Sequence, residues 1–282
     1  MKNKWLAAPY VVWMAIFVVA PLILVVVFAF TGQDGSVTLD NFSNMGTYVP
    51  AFRNSFILAF VATAICILIG YPLAYFLSRE KLIVRKVAMM LIMLPMWMNF
   101  LLRTYAWMSI LDDNGLINQF LSAIGFFDLW NAIFGTNLSY FHMINTQGAI
   151  VLGMVYNFLP FMVLPIFSVI DKIDPKVIEA AQDLGASSSM VFRKVIFPLS
   201  LPGVLSGVTM VFIPSVSTFA LSRLLGGGKT LLLGDLIEMQ FLGNAYNPHL
   251  GSAIALVMMV IVLILMAIMN RFGEGEEGVA VL

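Results

Sequence analysis

Long apolar runs, separated by short polar segments, set the pattern of the chain. A membrane-crossing helix needs about 20 apolar residues, and six runs are long enough. They lie at roughly 6–30, 56–77, 87–111, 148–170, 204–225 and 252–269. The pattern therefore predicts an all-α, polytopic membrane protein with six transmembrane helices.

The composition agrees with a lipid environment. The 282 residues are 61% hydrophobic and 11% charged, whereas soluble domains carry about 25% charged residues. So few charges do not cover a soluble globule. Cys66 is the single cysteine, which excludes a disulfide within the chain.

Basic residues orient the predicted helices, because Lys and Arg collect in cytoplasmic loops. Eleven of them fall at the N-terminus (including Lys2 and Lys4), in the second and fourth loops and at the C-terminus. Four fall on the other side: Arg53, Arg103, Arg223 and Lys229. Both termini and the fourth loop are therefore predicted to be cytoplasmic.

The fourth loop carries the longest charged segment of the chain. Asp174 and Pro175 are typical of a helix start, since Asp caps free N–H groups and Pro fits the first turn. Gly185 permits a turn, and a second short helix is expected from Ser187 towards Phe197. Four apolar residues of the first helix fall at helical spacing: Val177, Ile178, Ala181 and Leu184. Pro198 and Pro202 are expected to punctuate the return into the next span.

This loop resembles the EAA loop of ABC-importer permeases, E-A-A-x3-G-x9-I-x-L-P. The match consists of Glu179-Ala180-Ala181, Gly185 and Val195–Pro198, with Val195 and Phe197 as apolar replacements. The resemblance implies that residues 172–203 contact an ATPase. The implied coupling residues are Glu179, Ala180, Ala181, Asp183, Gly185 and Pro198.

The outer loops hold seven acidic residues against four basic ones. This excess of negative charge attracts cations, but it also arises simply because loops outside the cytoplasm contain few Lys and Arg residues. The acids are Asp34, Asp40, Asp112, Asp113, Asp128, Asp235 and Glu238. Arg103 lies near the third span, where a charged side chain is costly unless it pairs with an opposite charge or contacts water. It either lines a cavity and pairs with an acid such as Asp112, Asp113 or Asp235, or it extends to the interface.

A narrower resemblance covers most of residues 50–250. The pattern P-x-W-x-N-x-L-x-R-x-Y from Pro95 to Tyr105 is similar to the third-span region of PotB-type spermidine/putrescine permeases, as are segments 114–118, 156–160, 224–229 and 240–242. Relatives often have an acid where this chain has Arg223. Trp97, Tyr105 and Trp107 form either an aromatic face for a cation or an interfacial belt. The substrate-path candidates are Trp97, Asn99, Arg103, Tyr105, Trp107, Asp235 and Glu238.

The resemblance implies a MetI-like type I ABC importer permease fold in a bacterial cytoplasmic membrane. It implies residues 1–50 as an N-terminal helix with the first outer loop, 51–272 as a five-helix permease core, and 273–282 as a short cytoplasmic tail. The implied partners are a PotA-like ATPase dimer, a PotC-like second permease, a PotD-like extracytoplasmic binding protein and a polyamine substrate. No cofactor of its own is expected, because ATP would bind the ATPase.

Two other functions remain open. The EAA loop does not report the substrate, so another small solute fits it equally well. A stand-alone secondary transporter or channel would need ionisable residues in the spans, and few are present. The run Gly226–Thr230 is not a phosphate loop, since Arg223 occupies the position where that motif requires Gly. No catalytic set or metal-ligand spacing stands out, so an enzyme is not predicted.

Overall fold

The structure is a computed structural model that describes residues 8–243 and 245–273. Lys2, Lys4 and the tail after Gly273 lie outside these residues. The first long helix, α1, spans Pro9–Ala29 and includes a π-helical turn at Ala15–Val19. A single antiparallel bridge between Thr31 and Val37 follows it.

Helices account for most of the remaining described chain. A short helix at Asp40–Ser43 and a 3₁₀ turn at Asn44–Tyr48 lead into α2. The helices are α2 Val49–Arg79, α3 Leu82–Met93, α4 Phe100–Leu111, α5 Leu116–Ala123, α6 Phe126–Phe134, α7 Gln147–Ile170, α8 Pro175–Asp183, α9 Ser188–Ser217, α10 Ala220–Leu225, α11 Leu233–Leu242 and α12 Pro248–Gly273.

Within the described residues, five helices are long and apolar enough to cross a membrane. They are α1, α2 with its N-terminal extension, α7, α9 and α12. A sixth crossing is completed if the bent pair Leu82–Trp97 and Phe100–Ala123 counts as one span. The all-α prediction with six crossings agrees with this arrangement.

The third predicted span, 87–111, is not one straight helix. Its two parts meet at an angle of 94°, after a 3₁₀ turn at Leu94–Trp97. Met98 is extended, and the Asn99 side chain accepts hydrogen bonds from the N–H groups of Leu101 and Leu102. Asn99 therefore starts a new helix inside an apolar run, and hydropathy alone does not register that break.

The fifth predicted span, 204–225, begins earlier and ends earlier than expected. Helix α9 starts in the fourth loop and stops at Ser217, where Thr218 becomes extended. The separate helix α10 follows, and its buried Leu221 and Leu225 join the core beside α7.

Pro198 and Pro202 do not interrupt the second helix of the fourth loop, contrary to the prediction. Both lie inside α9, just after a π-helical turn at Phe192–Ile196. In that turn the Phe197 N–H bonds to the Phe192 carbonyl, five residues back. The wider turn accommodates a proline that has no N–H to donate. The second helix of the fourth loop and the candidate membrane span therefore form one rod.

Helices α2, α7 and α9 form the centre of the fold. Gly203 and Gly207 of α9 face α7 at close range: a Cβ at Gly203 would lie 2.9 Å from the Pro165 carbonyl oxygen, and one at Gly207 would lie 2.7 Å from the Met162 sulfur. Small residues four apart allow membrane helices to approach closely. This contact fixes the rod α9 against α7.

The first helix lies at the edge of the fold. Its long neighbour is α12, which His249 joins through a hydrogen bond to the Phe28 carbonyl oxygen (3.2 Å). The Phe28 and His249 rings are 5.2 Å apart. Most side chains of α1 are exposed in the isolated chain, as expected for a helix that faces lipid.

Candidate functional site

The coupling loop, residues 172–203, begins with a capped helix. The Asp174 side chain accepts a hydrogen bond from the Lys176 N–H at 2.9 Å, and Pro175 occupies the first turn of α8. The helix start that the sequence predicted is confirmed. Ser187 likewise caps the start of α9 through the Met190 N–H.

Gly185 ends α8 in the left-handed region, with φ of +83°. The Gly185 N–H bonds to the Gln182 carbonyl (2.8 Å) and the Ala186 N–H to the Ala181 carbonyl (3.0 Å). This pair of bonds is the Schellman motif, which favours glycine at the left-handed position. The turn between the two helices of the coupling loop thus depends on Gly185, as the sequence predicted.

The apolar residues of α8 occupy two faces rather than the single face predicted. Ile178 and Ala181 pack inward on the core beneath the loop. Val177 and Ala180 point outward with Leu184, which is 90% exposed. Because positions 177, 180 and 184 repeat at helical spacing, they form an exposed apolar stripe, which we call the docking stripe.

The other predicted coupling residues lie outside this stripe. Glu179 is exposed and lines a cleft of about 450 Å³ between α8, the end of α2 and the start of α3. Asp183 is exposed at the last position of α8, and Pro198 is partly buried in α9. The cleft also carries Arg79, Arg85, Asp171 and Gln182. At helical spacing the residues of α8 that line the cleft lie on the opposite face from the docking stripe, so the coupling loop presents an apolar stripe on one face of α8 and a charged cleft on the other.

The substrate-path candidates of the broken third span separate onto different faces. Trp97 is 76% exposed and Tyr105 is 50% exposed, whereas Trp107 packs edge-on against Tyr156 of α7 at 5.3 Å. The structure does not bring the three rings into one aromatic face. Asn99 serves as the helix cap described above.

Arg103 is buried beside Tyr156. Its guanidinium carbon lies 5.9 Å from the centre of that ring, and the side chain is 9% exposed. Within residues 8–243 and 245–273 its Nε and Nη1 atoms have no hydrogen-bond partner. The expected pairing with Asp112, Asp113 or Asp235 is wrong, because helix α4 turns Arg103 towards α7 and those carboxylates are engaged elsewhere.

Asp235 is an interior helix cap. Its Oδ2 accepts hydrogen bonds from the Ser222 hydroxyl (2.5 Å) and from the Leu232 N–H (3.1 Å). Burial raises the pKa of this carboxyl, while the hydrogen bonds from Ser222 and Leu232 oppose the rise. The carboxylate joins α10 to α11 and is 5% exposed.

Glu238 lies one turn further along α11, nearer the surface, and pairs with Arg223 of α10. The two guanidinium nitrogens of Arg223 reach the two carboxylate oxygens at 3.2 and 2.6 Å. Asp113 meets His142 at 2.9 Å, and Asp112 accepts from the Asn114 N–H. Whether Asp235 or Glu238 lies on the substrate path stays a prediction.

Sequence reasoning missed two long-range partners. Tyr156 covers Arg103 from 53 positions further along the chain, and Arg85 forms an ion pair with Asp171 across 86 positions. Neither contact can be recognised from the residues next to it in the sequence. For Arg85 and Asp171, the one hint was that residues of opposite charge lie at the ends of two predicted spans.

Comparison with known sequences gives a consistent result. The profile of the family described as "Binding-protein-dependent transport system inner membrane component" matches residues 39–274. The spermidine/putrescine transport system permease protein PotB of Haemophilus influenzae is 35% identical over 267 residues, covering 92% of this chain and 90% of the relative. PotB of Escherichia coli is 34% identical over 257 residues, covering 88% and 90%.

Comparison with solved structures confirms the fold. A chain of a bacterial ABC transporter involved in the import of the acidic polysaccharide alginate superposes with a TM-score of 0.79 at 17% identity, covering 97% of this chain and 96% of that one. The MetNI methionine ABC transporter in an inward-facing conformation gives a TM-score of 0.56 at 18% identity, covering 82% and 96%. The predicted MetI-like permease fold is thus borne out.

Proposed function

Because the chain belongs to the family of binding-protein-dependent transport system inner membrane components, we propose that it is one permease subunit of a polyamine ABC importer. In this proposal it forms half of the pathway for spermidine or putrescine. Its termini and coupling loop face the cytoplasm, as the distribution of Lys and Arg favours.

The docking stripe is the observation that carries the coupling role. An exposed apolar stripe on a polar, capped helix is costly in water and is typical of an interaction site. The cleft on the opposite face of α8 adds Glu179 and two arginines for charged contacts. An ATPase dimer is the partner that this loop would contact, and ATP would bind and be hydrolysed there rather than in this chain.

Transmission follows from the rod α9. A movement of the ATPase against the coupling loop would tilt a single helix that runs from Ser188 to Ser217. Gly203 and Gly207 hold that helix on α7, so the tilt would reach the centre of the fold. Alternating access needs such a stiff element with different contacts in its two states.

The substrate class rests on the likeness to relatives named for spermidine and putrescine. A polyamine carries several positive charges and needs compensating groups along its path. The candidate groups on this chain are the exposed rings of Trp97 and Tyr105 and the carboxylate of Glu238, which in this structure pairs with Arg223. A PotC-like second permease and a PotD-like binding protein would complete the path.

Uptake by the assembled complex tests the proposal. We expect proteoliposomes with both permeases, the ATPase and the binding protein to import labelled spermidine or putrescine upon addition of ATP. Glu238→Gln should lower that uptake without lowering assembly, whereas Asp128→Asn, at an exposed outer acid on α6, should not. Transport of a neutral or anionic solute in place of polyamines would refute the polyamine assignment and leave the family membership intact.

A further inference from the structure

Two charges at the cytoplasmic side occupy positions that their own helices disfavour. Arg85 lies in the first turn of α3, next to the positive end of that helix dipole. Asp171 is the C-terminal cap of α7, next to a negative end. Helix dipoles favour the opposite arrangement at both places. The helix dipoles therefore do not explain the positions of Arg85 and Asp171.

Their contact across the fold does explain it. Arg85 Nη1 forms an ion pair with Asp171 Oδ1, and Arg85 Nε donates to the Glu80 carbonyl oxygen at 2.6 Å. One guanidinium thus ties together the end of α2, the start of α3 and the end of α7. Both side chains are partly exposed, so the ion pair contributes little to stability. Its main effect is to connect these three helix ends.

Asp171 is joined firmly to the coupling loop. The Lys172 N–H bonds to the Val169 carbonyl (3.2 Å) and the Ile173 N–H to the Ile170 carbonyl (3.1 Å). Asp174, the next residue, caps α8. No loose segment separates Asp171 from the helix that carries the docking stripe, so movement of α8 is transferred to the Asp171 carboxylate.

Arg85 is joined equally directly to the broken third span. Helix α3 continues through the 3₁₀ turn at Leu94–Trp97 to the 94° bend. Beyond the bend, α4 carries Arg103 and Trp107. A force applied at Arg85 is therefore applied to the element that leads to the substrate-path candidates.

We propose that the Arg85–Asp171 ion pair is a positioning link that makes α3 move together with the coupling loop. Motion from the ATPase would then reach the pathway by two routes, the rod α9 and the lever α3. The inference rests on the proposed coupling to an ATPase. It assigns to both residues a role in energy coupling rather than in stability or substrate contact.

Distances between spin labels test the link directly. Nitroxides at Met90→Cys and Lys176→Cys, in a Cys66→Ser background, report the distance between α3 and α8 with and without a non-hydrolysable ATP analogue. We expect that distance to stay constant in the parent complex and to change with nucleotide after Asp171→Asn. A parent distance that changes with nucleotide, or an Asp171→Asn distance that does not, overturns the proposal.

A second label pair separates this inference from the proposed function. The distance from Ser43→Cys, on the outer side, to Lys176→Cys should change with nucleotide if the ATPase moves the coupling loop. A constant distance there refutes the proposed coupling, and with it the link. If the distance between positions 43 and 176 changes but the distance between positions 90 and 176 does not behave as expected, the link is refuted and the proposed coupling is retained.

Transport per ATP gives an independent measure. Arg85→Gln and Asp171→Asn should each reduce polyamine imported per ATP hydrolysed by about fivefold or more, with assembly retained. The double variant Arg85→Asp with Asp171→Arg restores an ion pair and should recover the ratio, since each charge then also suits its helix dipole. Lys86→Gln, at the exposed lysine next to Arg85, is the matched control. A double variant that assembles but transports no better than the single variants contradicts the proposal.

Discussion

Individual residues of the coupling loop are well determined by local sequence. Asp174, Pro175 and Gly185 act within a few positions of themselves, as caps and as a left-handed turn, so their roles follow from residue type and order. Arg103 and Asp235 illustrate the opposite case. Their surroundings come from Tyr156 and Ser222, which distant or separate elements supply, and the sequence around each gives no sign of them.

Gly185 offers a sharp test at this scale. A Cβ there would meet no atom within 4 Å, so any penalty arises from the positive φ alone, about 1–2 kcal/mol for most residues. We expect Gly185→Ala to reduce the amount of ATPase that co-purifies with the permease. Gly185→Asp adds a negative charge at a helix C-terminus, which the dipole opposes, and should also reduce uptake.

Gly185→Asn is the matched control, because Asn adopts the left-handed conformation at lower cost. It should retain more ATPase and more uptake than Gly185→Ala. Equal, parental behaviour of all three variants would contradict the role of this turn in coupling.

Among the elements, the broken third span shows what hydropathy misses. Residues 87–111 are apolar throughout, apart from Asn99, Arg103 and a few hydroxyl side chains, and an average over that window predicts one helix. The break depends on a single side chain that bonds to two backbone N–H groups. Helix α9 shows the converse, since two prolines predicted an interruption and a π-helical turn removed it.

Asn99 therefore separates a structural role from a substrate role. Loss of a helix cap costs about 1 kcal/mol, so Asn99→Ala should lower the melting temperature of the detergent-solubilised permease. Asn99→Ser keeps a capping oxygen and should melt close to the parent with an unchanged KM for uptake. A raised KM in Asn99→Ser at parental stability would instead place this side chain on the substrate path.

For the whole molecule, fold class and number of crossings were predictable because they depend on the length and spacing of apolar runs. The packing of α2, α7 and α9 was not predictable, because it depends on which residues of one helix contact the glycines of another. The orientation across the membrane stays a prediction from charge, and two of its basic residues, Lys2 and Lys4, lie outside the described chain.

Cysteine labelling checks that orientation. Ser43 and Ser188 are both exposed and should lie on opposite sides of the membrane. In a Cys66→Ser background, an impermeant maleimide should label Ser43→Cys in intact cells, and Ser188→Cys only after permeabilisation. Labelling of position 188 in intact cells would reverse the topology and remove the coupling loop from the cytoplasm.

The pairing of α1 with α12 has a consequence for how the protein is made. The ribosome makes α1 well before its long neighbour α12, and the contact between Phe28 and His249 spans 221 positions. At about 5–20 residues per second, roughly 10–45 s of translation separate the two. During that interval α1 resides in the bilayer with lipid on the face that α12 later covers, so this edge of the permease closes only after α12 has been made.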